Sequence, residues 1–219
     1  MTGQEVPSPH LPKGPHHLSR AEVAASQRTR LLEATLQVVG TQGYAALSIS
    51  QITAAARVSR TAFYEQFTGK QDAFLQAYDS FAETFADQLM TVSSRASSPW
   101  EAIESSTQLL VGWLTERPAA ARAWLLEVYA AGDAGLEHRA MTMRSVERAF
   151  DLAARWIRKV DPDLPPLPRF AARAVVAASF ELLTDAVRDP SPRRIRETRR
   201  TINELWLLGI TAPRYEPPV

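Results

Sequence analysis

The stretch SISQITAAARVSRTAFYEQFTGK, Ser48 to Lys70, decides how this chain is read. Ser48 followed by Gln51 has the form of a capping box, in which a hydroxyl and an amide satisfy the orphan N–H groups of a helix start. Ile49, Ile52 and Ala56 fall at i, i+3 and i+7 and give that helix one apolar face. Arg57-Val58-Ser59 breaks it, and Ser59 is positioned to cap the next. Phe63 and Phe67, four apart, form the inner side of this second helix. Arg60, Thr61, Tyr64 and Gln66 fall on its polar outer side. A short helix with a hydrogen-bonding outer face, braced by an earlier one, is the helix-turn-helix arrangement that enters a DNA major groove.

Upstream, a helix is expected from about Glu22 to Val39, with Leu31, Leu32, Thr35, Leu36 and Val39 inward and Gly40 and Gly43 ending it. Downstream, Thr68-Gly69 opens a further helix that starts at Lys70 and runs through Phe74, Tyr78, Phe81 and Phe85 to about Met90. The Ser-rich run Val92–Pro99 reads as a joint. Helices then follow over about 99–116, 118–131 and 133–159. The Pro165-Pro166-Leu167-Pro168 cluster punctuates the chain, and two last helices are expected over about 170–188 and 192–208. No alternating strand pattern occurs, so the fold class is all-α. The expected organisation is a flexible arm over 1–20, a three-helix helix-turn-helix DNA-binding domain over 21–70, a linking helix over 71–91 and a helical ligand-binding and dimerisation domain over 92–219.

From Arg30-Leu31-Leu32-Glu33-Ala34 through Gly43-Tyr44, Ile52, Val58-Ser59, Phe63-Tyr64 and Phe67 to Lys70, the sequence resembles the TetR family of bacterial transcriptional regulators. The resemblance implies a homodimeric, ligand-responsive repressor that binds a near-palindromic operator in double-stranded DNA. It implies phosphate contacts from Tyr64 and Lys70, and pairing of the last two helices across a two-fold axis. Ile195, Thr198, Ile202, Leu205 and Gly209 supply a seam pattern for that pairing. Three positions depart from the family: Arg57 where Gly is usual, Ala62 where Thr is frequent, and Gln71 where an acidic residue follows the Lys.

Recognition divides into contacts that position and contacts that specify. The fork of Arg60 suits guanine O6 and N7. Thr61 suits a phosphate or a thymine methyl, and Gln66 an adenine or a phosphate. Ser48 at a helix N-terminus suits a phosphate. In the body, Trp113, Trp124, Tyr129, Met143 and Phe150 are candidate walls of a pocket for a small, mostly apolar ligand, with Glu127 and His138 as polar anchors. An ordinary core requires the same aromatic and Met stripe.

Composition narrows the alternatives. Residues 1–70 hold seven Lys/Arg against four Asp/Glu, while residues 71–219 hold eighteen against twenty, so the basic excess sits with the helix-turn-helix. The excess is small, and only three of the 25 basic residues are Lys. No apolar run is long enough to span a membrane. The first twenty residues lack the apolar core of a secretory signal, so a cytoplasmic, nucleoid-associated protein is expected. With no Cys there is no disulfide framework and no thiolate chemistry. His16-His17 has no third ligand at a helical spacing, and neither metal nor cofactor is expected. Lys13, His16, His17 and Arg20 on the arm can reach a minor groove. No phosphate-binding loop, HExxH or Gly-x-Ser-x-Gly pattern is present, so no enzyme is expected. The competing reading is a small-molecule-binding or interaction protein of the same fold that has lost specific DNA binding.

Overall fold

The computed structural model describes residues 19–211. Lys13, His16 and His17 of the expected arm lie outside that range. The described chain is all-α: α1 Arg20–Gln42, α2 Ile49–Ala56, α3 Arg60–Tyr64, α4 Lys70–Arg95, α5 Pro99–Glu116, α6 Pro118–Leu125, a 3₁₀ segment Glu127–Ala131, α7 Gly132–Val160, α8 Ala171–Arg188 and α9 Pro192–Thr211.

Helix starts follow local chemistry. A complete capping box opens α1: the Ser19 hydroxyl accepts from the Glu22 N–H, and the Glu22 carboxylate accepts from the Ser19 N–H at 2.7 Å. The box expected at Ser48 is only half formed. Ser48 does accept from the Gln51 N–H, but the Gln51 side-chain oxygen accepts from the Ser48 hydroxyl at 2.7 Å rather than from the Ser48 N–H, while its amide nitrogen donates to Gln42. Ser59 caps α3 as expected. Ser98 caps α5 ahead of Pro99, whose missing N–H costs nothing at a first helical position.

Helix ends differ from the sequence expectation at three places. Gly40 does not end α1. It is buried inside the helix, where an added Cβ would lie 1.8 Å from the Ala119 carbonyl oxygen, so the helix passes against α6 backbone to backbone. Gly43, at φ 85°, is the true stop. The Ser-rich run does not break α4 at Val92: the helix continues to Arg95, and only Ala96–Ser98 separates it from α5. The segment expected as one helix from Pro118 divides into α6 and the 3₁₀ segment, which closes on Gly132 at φ 70°.

One apolar core runs through the described residues from α1 to α9. Leu31, Val39, Leu47, Ile52, Phe63 and Phe67 knit the first three helices together, and Phe74, Tyr78, Phe81 and Phe85 carry α4 into the body. The most extensive helix pairing joins α1 to α6, so the N-terminal helices sit directly on the body. In α9, Thr198 and Ile202 are buried within this chain, and Gly209 abuts Val175 of α8. Much of the expected intermolecular seam is therefore used to pack α9 against its own helices. No helix among the described residues is long and apolar enough to cross a membrane.

Candidate nucleic-acid interface

Helix α3 is short, and its placement depends on three local devices. Its inner side is fixed by Ala62 and Phe63, with Phe63 and Phe67 rings 5.3 Å apart. Its entry angle comes from Arg57, the α2 C-cap, which adopts φ 53° and ψ 47°. A side chain in this left-handed region costs about 1 kcal/mol relative to glycine. Arg30 of α1 lashes the strained turn down, its guanidinium donating to the carbonyls of Ala56 at 3.3 Å and Arg57 at 3.5 Å. Arg28 lies over the Phe67 ring and donates to Gln76, holding α1, the end of the motif and α4 together.

The outer side carries Arg60, Thr61 and Tyr64, all exposed. Tyr64 is 53% exposed, its ring held only by an edge-to-face contact with Phe63 at 5.5 Å between centres. Arg60 extends along the motif and donates weakly to the Ser50 hydroxyl at 3.4 Å. Arg60 thus reaches from α3 to the exposed start of α2. Gln66 differs: it is half-buried and its amide donates to the Ala24 carbonyl of α1 at 3.4 Å. Ala62 is buried, so the absence of Thr there removes nothing from the outer face.

Lys70 sits at the first turn of α4. Its ammonium donates to the Leu47 carbonyl at 3.0 Å and lies 5.4 Å from the Tyr44 ring centre, which positions the start of α2. An ammonium has three donors, so this bond leaves capacity for a phosphate. The acidic residue missing at Gln71 is supplied one position later. Asp72 accepts from the Thr68 N–H at 2.8 Å, the Thr68 hydroxyl and the Gln76 amide. Burial alone would raise its pKa, but these hydrogen bonds, helped by the charge of Arg28, hold it below the ordinary carboxylate value. Gln71 instead reaches across to the body and donates to the Ala131 carbonyl.

These features match the model for bacterial regulatory proteins of the TetR family over residues 31–77. The N-terminal domain is a TetR-family domain. Among curated proteins none matches the sequence. Among solved structures the chain is similar to the fatty acid degradation regulator FadR from Bacillus halodurans, with 16% identity, a TM-score of 0.74 and coverage of 94% of this chain and 100% of that one. It is similar to FadR from Bacillus subtilis in complex with stearoyl-CoA, with 15% identity, a TM-score of 0.73 and coverage of 83% and 98%. It is also similar to the TetR regulatory protein from Rhodobacter sphaeroides, with 18% identity, a TM-score of 0.69 and coverage of 82% and 98%. At such identities the likeness establishes the TetR-type fold over the body as well.

Within that body the candidate ligand residues separate into three groups. Trp113 and Trp124 belong to a buried aromatic cluster with Tyr78, Phe81, Phe85 and Phe180, ring centres 4.6 to 6.3 Å apart. Phe150 is fully buried against Trp206, and Met143 packs on the core. Glu127 and His138 face the N-terminal domain and its connecting helix. Glu127 accepts from the Tyr44 N–H at 3.0 Å and pairs with Arg122 at 3.6 Å, while His138 Nδ1 meets the Asp79 carboxylate at 2.8 Å. Tyr129 is half-exposed, with Arg139 stacked on it. Beside the aromatic cluster lies an apolar cavity of about 30 Å³, walled by residues including Phe85, Leu89, Val146, Ile202 and Trp206. That is space for about one water-sized group. Sequence reasoning missed Arg28, Arg30, Asp72 and Arg139, whose partners lie in other elements or in a turn that the sequence does not reveal.

Proposed function

We propose that this protein is a homodimeric, ligand-responsive repressor that recognises a near-palindromic operator. The observation that carries the reading is the face of Arg60, Thr61 and Tyr64, exposed on a helix whose every other side is tied into the core. Arg60 would read a base, with guanine the best match to its fork. Tyr64, Thr61, Ser48 and Lys70 would hold phosphates and set the register. Gln66, bonded to Ala24, would reach DNA only by exchanging that contact.

Two such faces must be presented together to read a repeated half-site. The surface best suited to a two-fold partner is the outer side of α8 and α9. There Ala174 and Ala177 permit close approach and Leu208 is exposed. The body would take a small, substantially apolar ligand in the space now filled by its aromatic cluster. The Bacillus subtilis regulator, solved in complex with stearoyl-CoA, is a protein of this fold that binds a molecule with a long apolar chain.

Selection of random-sequence DNA duplexes by the purified protein at physiological salt tests the reading. Enrichment of an inverted repeat is expected. Binding without sequence preference, by folded and dimeric protein, would refute it.

A further inference from the structure

We infer that the body binds an apolar molecule bearing a carboxylate, with the anion held by Arg139, Tyr78 and Trp124. The inference takes from the proposed function only that the body has a ligand.

Three polar groups lie in or against the aromatic cluster, and each can donate a hydrogen bond. Tyr78 is fully buried, and its hydroxyl has no hydrogen-bond partner of good geometry. The Thr142 hydroxyl stands near it and donates to the His138 carbonyl, but it is not placed to accept from Tyr78 in good geometry. Trp124 is 4% exposed and its indole N–H is also unpartnered, whereas the neighbouring Trp113 N–H is satisfied by Gln88 at 2.8 Å. The Tyr78 and Trp124 rings lie 6.2 Å apart. A buried donor without an acceptor is costly, and native interiors contain few.

Arg139 completes the set. It is half-buried on α7, and its guanidinium lies 5.2 Å from the ring centre of Tyr129 at the surface and 5.6 Å from that of the buried Phe180. Phe180 in turn lies 5.4 Å from Trp124. No ion pair joins Arg139 to a carboxylate among the described residues. Its hydrogen bond goes to the thioether of Met143, a weak acceptor. The nearby carboxylate of Asp79 is engaged by His138.

Two buried donors without a partner and a guanidinium without a carboxylate suit an oxygen-rich group, and the guanidinium favours an anionic one with two oxygens. The rest of the molecule must be apolar. Tyr78, Phe81, Phe85 and Leu89 mark one face of α4 over about 16 Å. Phe85 separates Trp124 from the small cavity that ends this track. A ligand would therefore enter with its carboxylate at Arg139 and its body displacing aromatic rings toward Leu89.

Calorimetry of the full chain without DNA tests this, using decanoate against decanol and naphthoate against naphthylmethanol. At least one carboxylate should bind roughly tenfold or more tighter than its neutral partner, the size of a charge-assisted hydrogen bond. Arg139→Gln should abolish that preference, the carboxylate losing at least tenfold in affinity relative to its neutral partner. Tyr78→Phe should reduce the preference without loss of thermal stability, because it removes an unsatisfied hydroxyl. Equal binding within both pairs, binding of neither carboxylate, or a preference that survives in Arg139→Gln would each overturn the inference. Operator selection is a separate measurement, so its failure would count against the repressor reading alone.

Discussion

Replacing Gly40 by alanine sets two effects of opposite sign against each other. In an open helix interior the change stabilises by about 1 kcal/mol, because alanine loses less backbone entropy. At Gly40 the new Cβ would sit 1.8 Å from the Ala119 oxygen, 2.4 Å from its carbon and 2.7 Å from its Cα. Reaching an ordinary 3.4 Å contact demands a separation of about 1.6 Å. Every obstructing atom is backbone in the first turn of α6, so no rotamer change relieves the clash. Overpacking costs about 1–3 kcal/mol, and an unyielding backbone puts this site at the upper end. The net expectation is a loss of about 2 kcal/mol, or a Tm lower by roughly 4–8 °C for a chain of this size. Gly112, inside α5, has only a Glu116 side-chain oxygen at 3.8 Å, so Gly112→Ala should gain about 1 kcal/mol. Thermal and urea unfolding of the two variants together decide the matter. A Gly40→Ala protein as stable as the Gly112→Ala control would refute the close packing of α1 on α6.

Arg57→Gly should raise stability by about 1 kcal/mol by relieving the left-handed turn, measured by urea unfolding. If Arg57 also touches phosphate, the same variant will show a shallower salt dependence of DNA binding. Lys70→Ala should weaken binding to all duplexes alike and reduce the salt slope by about one unit, read from affinities over a salt series. An effect on one sequence only would contradict a phosphate role. Glu127→Ala should cost about 1–3 kcal/mol by stranding the Tyr44 N–H, while Glu127→Gln, which keeps an acceptor, should lose much less in the same unfolding assay. Asp72 has a folded-state pKa below its unfolded value, so its contribution is complete above the unfolded value of 3.8 and disappears as pH falls through the folded one. On acidification below about pH 4 the wild type should therefore lose more stability than Asp72→Asn, compared by thermal melts across that range.

The helix-turn-helix was legible because its signals are local. Ser59 caps the helix that directly follows it, and Phe63 and Phe67 meet because they are four apart on one face. The expected outer face of Arg60, Thr61 and Tyr64 follows from the same periodicity. Gly40 shows where local reading fails: glycine near a helix end suggests a stop, and only the presence of Ala119, about eighty residues later in sequence, makes it a packing residue. Gln66 fails similarly, since its partner Ala24 belongs to another helix. In the body, Glu127 and His138 were chosen as polar residues among apolar ones. That criterion does not distinguish a side chain turned to a cavity from one turned to Tyr44 or Asp79. Arg139 went unnoticed because its interest lies in the partners it lacks.

The ties between the N-terminal helices and the body fall within a narrow part of the chain. Ala119 presses on Gly40, Glu127 accepts from Tyr44, Ala131 accepts from Gln71 and His138 pairs with Asp79. The same part of the chain supplies Trp124, Tyr129 and Arg139, the donors and walls inferred for a ligand. A molecule that pushes Trp124 or draws Arg139 inward therefore strains α6, the 3₁₀ segment and the start of α7 at the points where they hold Tyr44 and Gln71. Close-packed elements do not deform continuously, so the strain is relieved by giving up ties. Each hydrogen bond has a net worth of about 1 kcal/mol, and two or three are at stake. If the proposed function holds, the ligand's leverage on DNA would be about 1–3 kcal/mol, the ordinary range of allosteric coupling and a change in operator affinity of roughly tenfold to a hundredfold.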